Sequence, residues 1–213
     1  MSLSDFCLYL ITDRHQTGGR ELLEVVERAL DGGVRGVQLR EKDLSGAEMY
    51  RTAEAMRQLT DRYDARLLIN ERADVAVAVG ADGVQLGIAG LPVSAVRQLL
   101  GPGKIIGYSA HSREEAERVQ RDGADFVTFG PVYETPSKLR YGAPVGLQRL
   151  TETAAALRIP VMALGGISLA NVSETFTATI RGVAVISAVL GAADPRGAAL
   201  TLLKKIEEYA QRP

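Results

Sequence analysis

Short apolar runs recur along the chain at LYLIT (8–12), GVQL (36–39), RLLIN (66–70), GVQLG (83–87), KIIGYS (104–109), FVTFG (126–130), PVMALG (160–165) and GVAVIS (182–187). Between them lie RELLEVVERAL, AEMYRTAEAMRQLTDRY, SREEAERVQRDG and PRGAALTLLKKIEEYAQ, where apolar residues return every three or four positions. That spacing gathers them along one stripe and predicts amphipathic helices. Most of the short runs are apolar throughout instead of alternating, as parallel strands covered on both faces require. Eight such strands interleaved with helices predict an α/β protein of the TIM (β/α)8 barrel class.

An internal echo supports the same count. GGVRGVQL, GADGVQLG, GADFVTFG and TIRGVAVIS each set a turn immediately before a strand, at every second strand–helix unit. Turn chemistry of this kind ends a helix through a left-handed cap, and the strand follows at once. A fourfold repeat of paired units suits an eight-stranded barrel better than the rival architecture, a doubly wound open sheet. No linker, low-complexity tract or charge block divides the chain, so residues 1–213 are expected to form one barrel domain. That length leaves little for insertions, which makes the polar stretch GPVYETPSKLRYGAPVG (130–146) conspicuous.

Composition narrows the partners. With 25 Lys and Arg against 26 Asp and Glu there is no global field to hold nucleic acid or an acidic membrane surface. Any anionic ligand must be met by a local cluster. The single cysteine, Cys7, precludes an intrachain disulfide and a cysteine-built metal site. No apolar run reaches the roughly 20 residues needed to span a bilayer, and the start MSLSDFCLYL lacks the basic-then-apolar order of a secretory signal. A cytoplasmic protein is expected, with self-association left open.

In a barrel of this kind the chemistry sits where strands end and the following loops begin. Thr12, Asp13 and Arg14 follow the first strand; Gln38 precedes Arg40, Glu41, Lys42 and Asp43 after the second; Asn70, Glu71, Arg72 and Asp74 follow the third. Ser109 and His111 follow the fifth strand, Thr135, Ser137 and Lys138 the sixth, Gly165 and Gly166 the seventh, Ile186 and Ser187 the eighth. Arg40, Lys42 and Lys138, with hydroxyls and an amide, form the donor set that holds a polyanion such as a diphosphate. LGGIS and VISAV instead offer small residues and backbone N–H groups leading into helices, a cradle for a second phosphate. Each has a plainer reading: REKD as a solvated ion-paired turn, the glycine pair as a simple turn, His111 as a cap for the helix beginning near Ser112, His15 as a loop residue without a role.

Taken in order, LYLITDR, GVQLREKD, LLINERADVAVAVGADGVQLG, IIGYSAHSREEA, GADFVTFGPVYETPSK, PVMALGGIS and GVAVISAV resemble the thiamine-phosphate synthase family and its TenI-like thiazole tautomerase relatives. The resemblance runs from about residue 8 to residue 190. It implies a transferase that joins hydroxymethylpyrimidine diphosphate to a thiazole phosphate and releases diphosphate with Mg²⁺ assistance. By motif position Gln38, Arg40 and Lys42 would contact the pyrimidine diphosphate, helped by Asn70, Ser109 and Lys138. Thr135, Ser137, Gly165, Gly166, Ile186 and Ser187 would hold the thiazole phosphate. The loop around Lys138 would then act as a lid.

Three positions depart from the patterns of these two groups. The synthases end the third strand in Asn-Asp-Arg and supply a second Asp after the fourth strand, the two carboxylates holding Mg²⁺. Here the first is Glu71, and the second position is Gly90. The tautomerases place a proton-transferring His after the sixth-strand glycine, where this chain has Pro131. The resemblance therefore leaves three readings: a synthase, a TenI-like isomerase with Glu71, Glu134 or His111 as its acid or base, and a thiazole-phosphate-binding protein without catalysis.

Overall fold

The computed structural model describes residues 7–134, 144–176 and 179–210. Its elements run β1 (Leu8–Ile11), α1 (Leu22–Asp31), β2 (Gly36–Leu39), α2 (Gly46–Arg62), β3 (Arg66–Asn70), α3 (Ala73–Ala78), β4 (Gly83–Leu86) and α4 (Val93–Leu100). They continue β5 (Ile105–Ala110), α5 (Arg113–Arg121), β6 (Phe126–Phe129), α6 (Gly146–Ala156), β7 (Val161–Leu164), α7 (Val172–Thr175), β8 (Gly182–Val185), α8 (Ser187–Leu190) and α9 (Pro195–Ala210). Each strand pairs in parallel with the next, and β8 returns to β1, closing the barrel. Every predicted strand is present within a residue or two of its expected bounds, and the open-sheet rival is excluded by the β1–β8 pairing.

The apolar-throughout strands are explained by two separate cores. Tyr9, Ile11, Leu68, Phe126, Met162 and Ala184 face the barrel axis. The intervening residues, such as Leu10, Val37, Leu67, Val84, Val127 and Val183, pack outward against the helices. Strand side chains alternate, so only a strand covered on both sides has no polar register to keep. Each fully buried aliphatic contributes about 1.5–3 kcal/mol. Tyr9 and Phe126 meet edge to face across the interior, with centroids 5.7 Å apart and planes at 82°.

Local signals set the helix starts. Ser45 and Glu48 form a reciprocal capping box on α2, and Ser112 accepts from the Glu115 N–H at the head of α5. The repeated turn before alternate strands has the expected left-handed glycine in three of its four copies: Gly33 (φ +102°), Gly80 (+66°) and Gly123 (+99°). The fourth copy, around Arg181, has no glycine in that conformation. Two copies carry a further device at the amino end of the barrel. Asp82 accepts from Leu67 N–H (2.8 Å) and Arg66 (2.6 Å), and also pairs with Arg57. Asp125 accepts from Ile106 N–H (2.7 Å) and pairs with Arg97. In each, one carboxylate ties the start of a strand to its predecessor.

Candidate active site

The carboxyl ends of the strands separate the charged residues after β2 into two groups. Glu41 is 5% exposed and fully engaged: its carboxylate accepts from Thr12 Oγ1 (2.6 Å), the Arg14 N–H (3.1 Å) and the Arg14 guanidinium (3.3 Å). Arg14 also grips Asp43 through both terminal nitrogens, at 2.6 and 2.7 Å. The His15 ring lies 3.0 Å from the same carboxylate, so the loop residue expected to have no role has a partner. The Arg14 guanidinium and His15 hold the Asp43 carboxyl down at about 2. Arg14 therefore neutralises both acids of REKD. The ion-paired turn holds for Asp43, whereas Arg40 and the exposed Lys42 carry no ion pair among the described residues.

Inside the mouth lies a polar relay. Gln38, only 2% exposed, donates from Nε2 to the Tyr9 hydroxyl (3.3 Å), which donates to Gln85 Oε1 (3.5 Å). Gln85 Nε2 donates to Ser109 Oγ (3.1 Å) and Thr128 Oγ1 (3.3 Å), and Thr128 donates to Ser109 (3.2 Å). Burial pushes the Tyr9 phenol well above its ordinary value and keeps it neutral, able to donate. Gln38 and Ser109, both expected at the site, are thus linked through Tyr9, Gln85 and Thr128, which the sequence reading did not select. One signal was available: Gln85 occupies the same place in the second GVQL as Gln38 does in the first. Asn70 ends β3, and its side chain meets no partner among the described residues.

Beyond β7 the glycine pair takes φ +100° at Gly165 and +69° at Gly166, a left-handed pair that glycine adopts without Cβ strain. The Gly165 carbonyl accepts from Tyr133 N–H (3.0 Å), and the Gly166 carbonyl from Asn171 Nδ2 (2.9 Å). With the carbonyls tied back, the N–H groups of Gly165, Gly166, Ile186 and Ser187 find no acceptor among the described residues. Thr135, Ser137 and Lys138 lie outside the described residues. Ser112 is the N-cap of α5 and His111 supports it: the His111 N–H donates to Glu115 (2.8 Å) in the first turn, and its Nδ1 lies 2.6 Å from the Gly130 carbonyl. It ties the β5 loop to the start of the loop after β6. Glu115 also accepts from the Tyr108 hydroxyl (2.8 Å), whose pKa burial and that carboxylate push up to about 12.

Glu71 occupies the place of the expected first metal ligand. Its backbone is left-handed at φ +63°, a strained conformation for a side chain of this kind. Burial raises its carboxyl pKa, opposed by the charge of Lys42 and a hydrogen bond from the Gly87 backbone. Gly90 offers no donor side chain, and the described residues contain no group of three or more His, Cys, Asp or Glu able to hold a metal ion. The residues present do not fit a Mg²⁺ site built by the protein alone.

A parallel (β/α)8 barrel whose mouth gathers unpaired cations, an amide–hydroxyl relay and open backbone donors belongs to the class that handles phosphorylated small molecules. The comparisons then make the assignment specific. The family model described as thiamine monophosphate synthase matches residues 8–189, and the chain belongs to the thiamine-phosphate synthase family. A Geobacter sulfurreducens protein with a provisional thiamine-phosphate synthase name is 58% identical over 95% of both chains. The thiamine-phosphate synthase of Roseiflexus castenholzii is 44% identical over 92% of this chain and 86% of its own. The solved thiamine phosphate pyrophosphorylase of Pyrococcus furiosus superposes with a TM-score of 0.90 at 40% identity, covering 98% of this chain and 99% of that one.

Proposed function

We propose that this protein is a thiamine-phosphate synthase of thiamine biosynthesis, a transferase acting on two phosphorylated small molecules. The observation that carries the reading at the site is the division of charge after β2. Arg14 takes up Glu41 and Asp43 and leaves Arg40 and Lys42 without an ion pair among the described residues, which supports a role for these two cations in meeting an anionic ligand. In the family's reaction the C–O bond between the pyrimidine methylene and the diphosphate breaks first, and the electron pair leaves with diphosphate. The thiazole nitrogen lone pair then closes the new C–N bond. No nucleophile is needed from the protein. Arg40 and Lys42, with Lys138, counter the charge growing on the leaving diphosphate, while Gln38, Asn70 and Ser109 orient the pyrimidine diphosphate. The open N–H groups at Gly165, Gly166, Ile186 and Ser187, with Thr135 and Ser137, receive the thiazole phosphate. The relay through Tyr9 and Gln85 presets Gln38 and Ser109, and a cytoplasmic setting suits the reaction.

The isomerase reading gains nothing from relatives named as synthases, and Pro131 still stands where its His is expected. The test is to incubate purified protein with hydroxymethylpyrimidine diphosphate and thiazole phosphate, with Mg²⁺ or with EDTA, and follow thiamine phosphate. Mg²⁺-dependent product is expected, and Arg40→Ala or Lys42→Ala lowers kcat/KM by about 10²- to 10³-fold. No product beside a competent control synthase overturns the reading.

A further inference from the structure

The loops after β6 and β7 are fastened main chain to main chain. Val132 N–H donates to the Leu164 carbonyl (2.8 Å) and Tyr133 N–H to the Gly165 carbonyl (3.0 Å). In a planar trans peptide the N–H points opposite to the C=O of the same unit. Two successive carbonyls turned toward residues 132 and 133 therefore turn the N–H groups of Gly165 and Gly166 together to the other side. A strand would alternate them; the left-handed φ of +100° and +69° sets them side by side, as in a backbone nest for an anion. The approach leaves no room for a side chain. A Cβ on Gly165 would lie 2.6 Å from Pro131 Cα, and one on Gly166 would lie 2.6 Å from Tyr133 Cβ and 3.0 Å from the Glu134 carbonyl oxygen.

Two side chains outside the cradle brace this arrangement. Asn171, the N-cap residue of α7, spans the turn: its Nδ2 donates to the Gly166 carbonyl (2.9 Å) and its Oδ1 accepts from Ser168 N–H (2.8 Å). Tyr133 is half-buried and reaches α7 from the other loop. Its hydroxyl meets Thr175 Oγ1 (3.0 Å), which donates to the Asn171 carbonyl (2.9 Å), and lies 3.4 Å from that carbonyl itself. Thr175 is fully buried, so this junction is shielded from water. Contacts thus run from Tyr133 through Thr175 and Asn171 to the Gly166 carbonyl, and return from Tyr133 N–H to the Gly165 carbonyl.

We infer that Tyr133 and Asn171 are positioning residues for the monophosphorylated substrate, acting on its phosphate through the direction they impose on the Gly165 and Gly166 N–H pair. The inference rests on the synthase reading for the identity of that substrate. Its physical reason is preorganisation. With both carbonyls held, the two donors stand ready; released, the glycine peptide units rotate freely, and the ligand must order them as it binds. The diphosphate, met by side chains after β2, does not depend on this brace. The tyrosine hydroxyl and the asparagine amide therefore govern affinity for one substrate and leave the other unaffected.

The test compares Tyr133→Phe and Asn171→Ala with the unaltered full chain, by calorimetric titration with thiazole phosphate and by synthase kinetics in both substrates. Each variant should weaken thiazole-phosphate binding and raise its KM by about three- to tenfold. The KM for the pyrimidine diphosphate and kcat should stay within about twofold. Preference for thiazole phosphate over the unphosphorylated thiazole alcohol, read as the ratio of kcat/KM, should fall by the same factor as the binding. A merely structural role would weaken both substrates together, or lower the melting temperature and leave that preference intact; either result overturns the inference. So does an unchanged affinity for thiazole phosphate in the folded variants. Tyr133→Phe keeps the ring and decides alone if Asn171→Ala does not fold. If the unaltered chain makes no product, the functional reading fails, and calorimetry with thiazole phosphate still judges the brace. If it makes product and the variants bind thiazole phosphate as it does, only this inference fails.

Discussion

At the scale of single residues, the cluster Thr12–Glu41–Arg14–Asp43 shows how one guanidinium decides the fate of four charges. Glu41 is buried and satisfied from three directions, so it ties the loop after β1 to the loop after β2. Removing it leaves the Thr12 hydroxyl and the Arg14 N–H without their acceptor, while the Arg14 guanidinium keeps Asp43. Glu41→Ala should cost about 1–3 kcal/mol in urea unfolding, the scale for leaving buried donors unsatisfied. Asp43 is exposed, and its contribution depends on pH. Its folded pKa of about 2 lies below the ordinary 3.8, so as pH falls the unfolded chain takes up the proton first. The stabilisation is full above pH 3.8 and is lost as pH falls toward about 2. Salt screens so open a pair. An acid titration of Asp43→Asn should therefore converge with the unaltered protein at the low end of that window, and the gap above it should shrink in 1 M salt. A gap that persists at pH 2 would refute this account.

Among elements, β4 ties the mouth of the barrel together through one side chain, Gln85. Its neighbour Gly107 on β5 explains why it fits. A Cβ at Gly107 would meet Gln85 Oε1 and lie 2.5 and 2.6 Å from Phe126 ring carbons. Gly107→Ala should cost about 1–3 kcal/mol by overpacking the interior, read as a lower unfolding midpoint. Gln85→Ala should cost about 2 kcal/mol, because Tyr9 loses its buried acceptor. In the synthase assay it should raise KM for the pyrimidine diphosphate more than it lowers kcat, since Ser109 and Gln38 lose their alignment while Arg40 and Lys42 stay in place. An unchanged KM would show that the relay is structural only. The glutamine was readable as a repeat of GVQL, but its partners were not. Tyr9, Gln85 and Thr128 come from three strands distant in sequence, and only closure of the sheet puts them within reach of each other.

For the whole molecule, the two ends of the barrel divide stability from chemistry. Asp82 and Asp125, at the amino end, occupy the same place in the repeated GAD turns and make the same kind of strand-to-strand tie. Burial pushes the Asp82 carboxyl up, but Leu67 N–H, Arg57 and Arg66 outweigh it, and its pKa falls below the ordinary value. Asp82→Ala should cost about 3 kcal/mol by leaving Arg66 and the Leu67 N–H without their acceptor, while Arg57 keeps Asp61 and the Ala65 carbonyl, and kcat and KM should stay within about twofold because the site is at the other end. A large loss of kcat in well-folded Asp82→Ala would contradict that division. No helix among the described residues is long and apolar enough to cross a membrane.

The sequence by itself determined the eight strands, their parallel closure, the helical stripes and the family, because these depend on local periodicity and on motif order along the chain. It also located Arg40, Lys42, Asn70 and the Gly165–Gly166 turn at strand ends, since strand ends are readable one strand at a time. Only the tertiary structure decided which charges are spent and which are available. REKD reads as four equivalent charged residues until Arg14, from another loop, pairs with two of them. Gly165–Gly166 likewise reads as a plain turn. Its carbonyls are held by Tyr133, from the loop after β6, and by Asn171, and those contacts turn two successive N–H groups to one side.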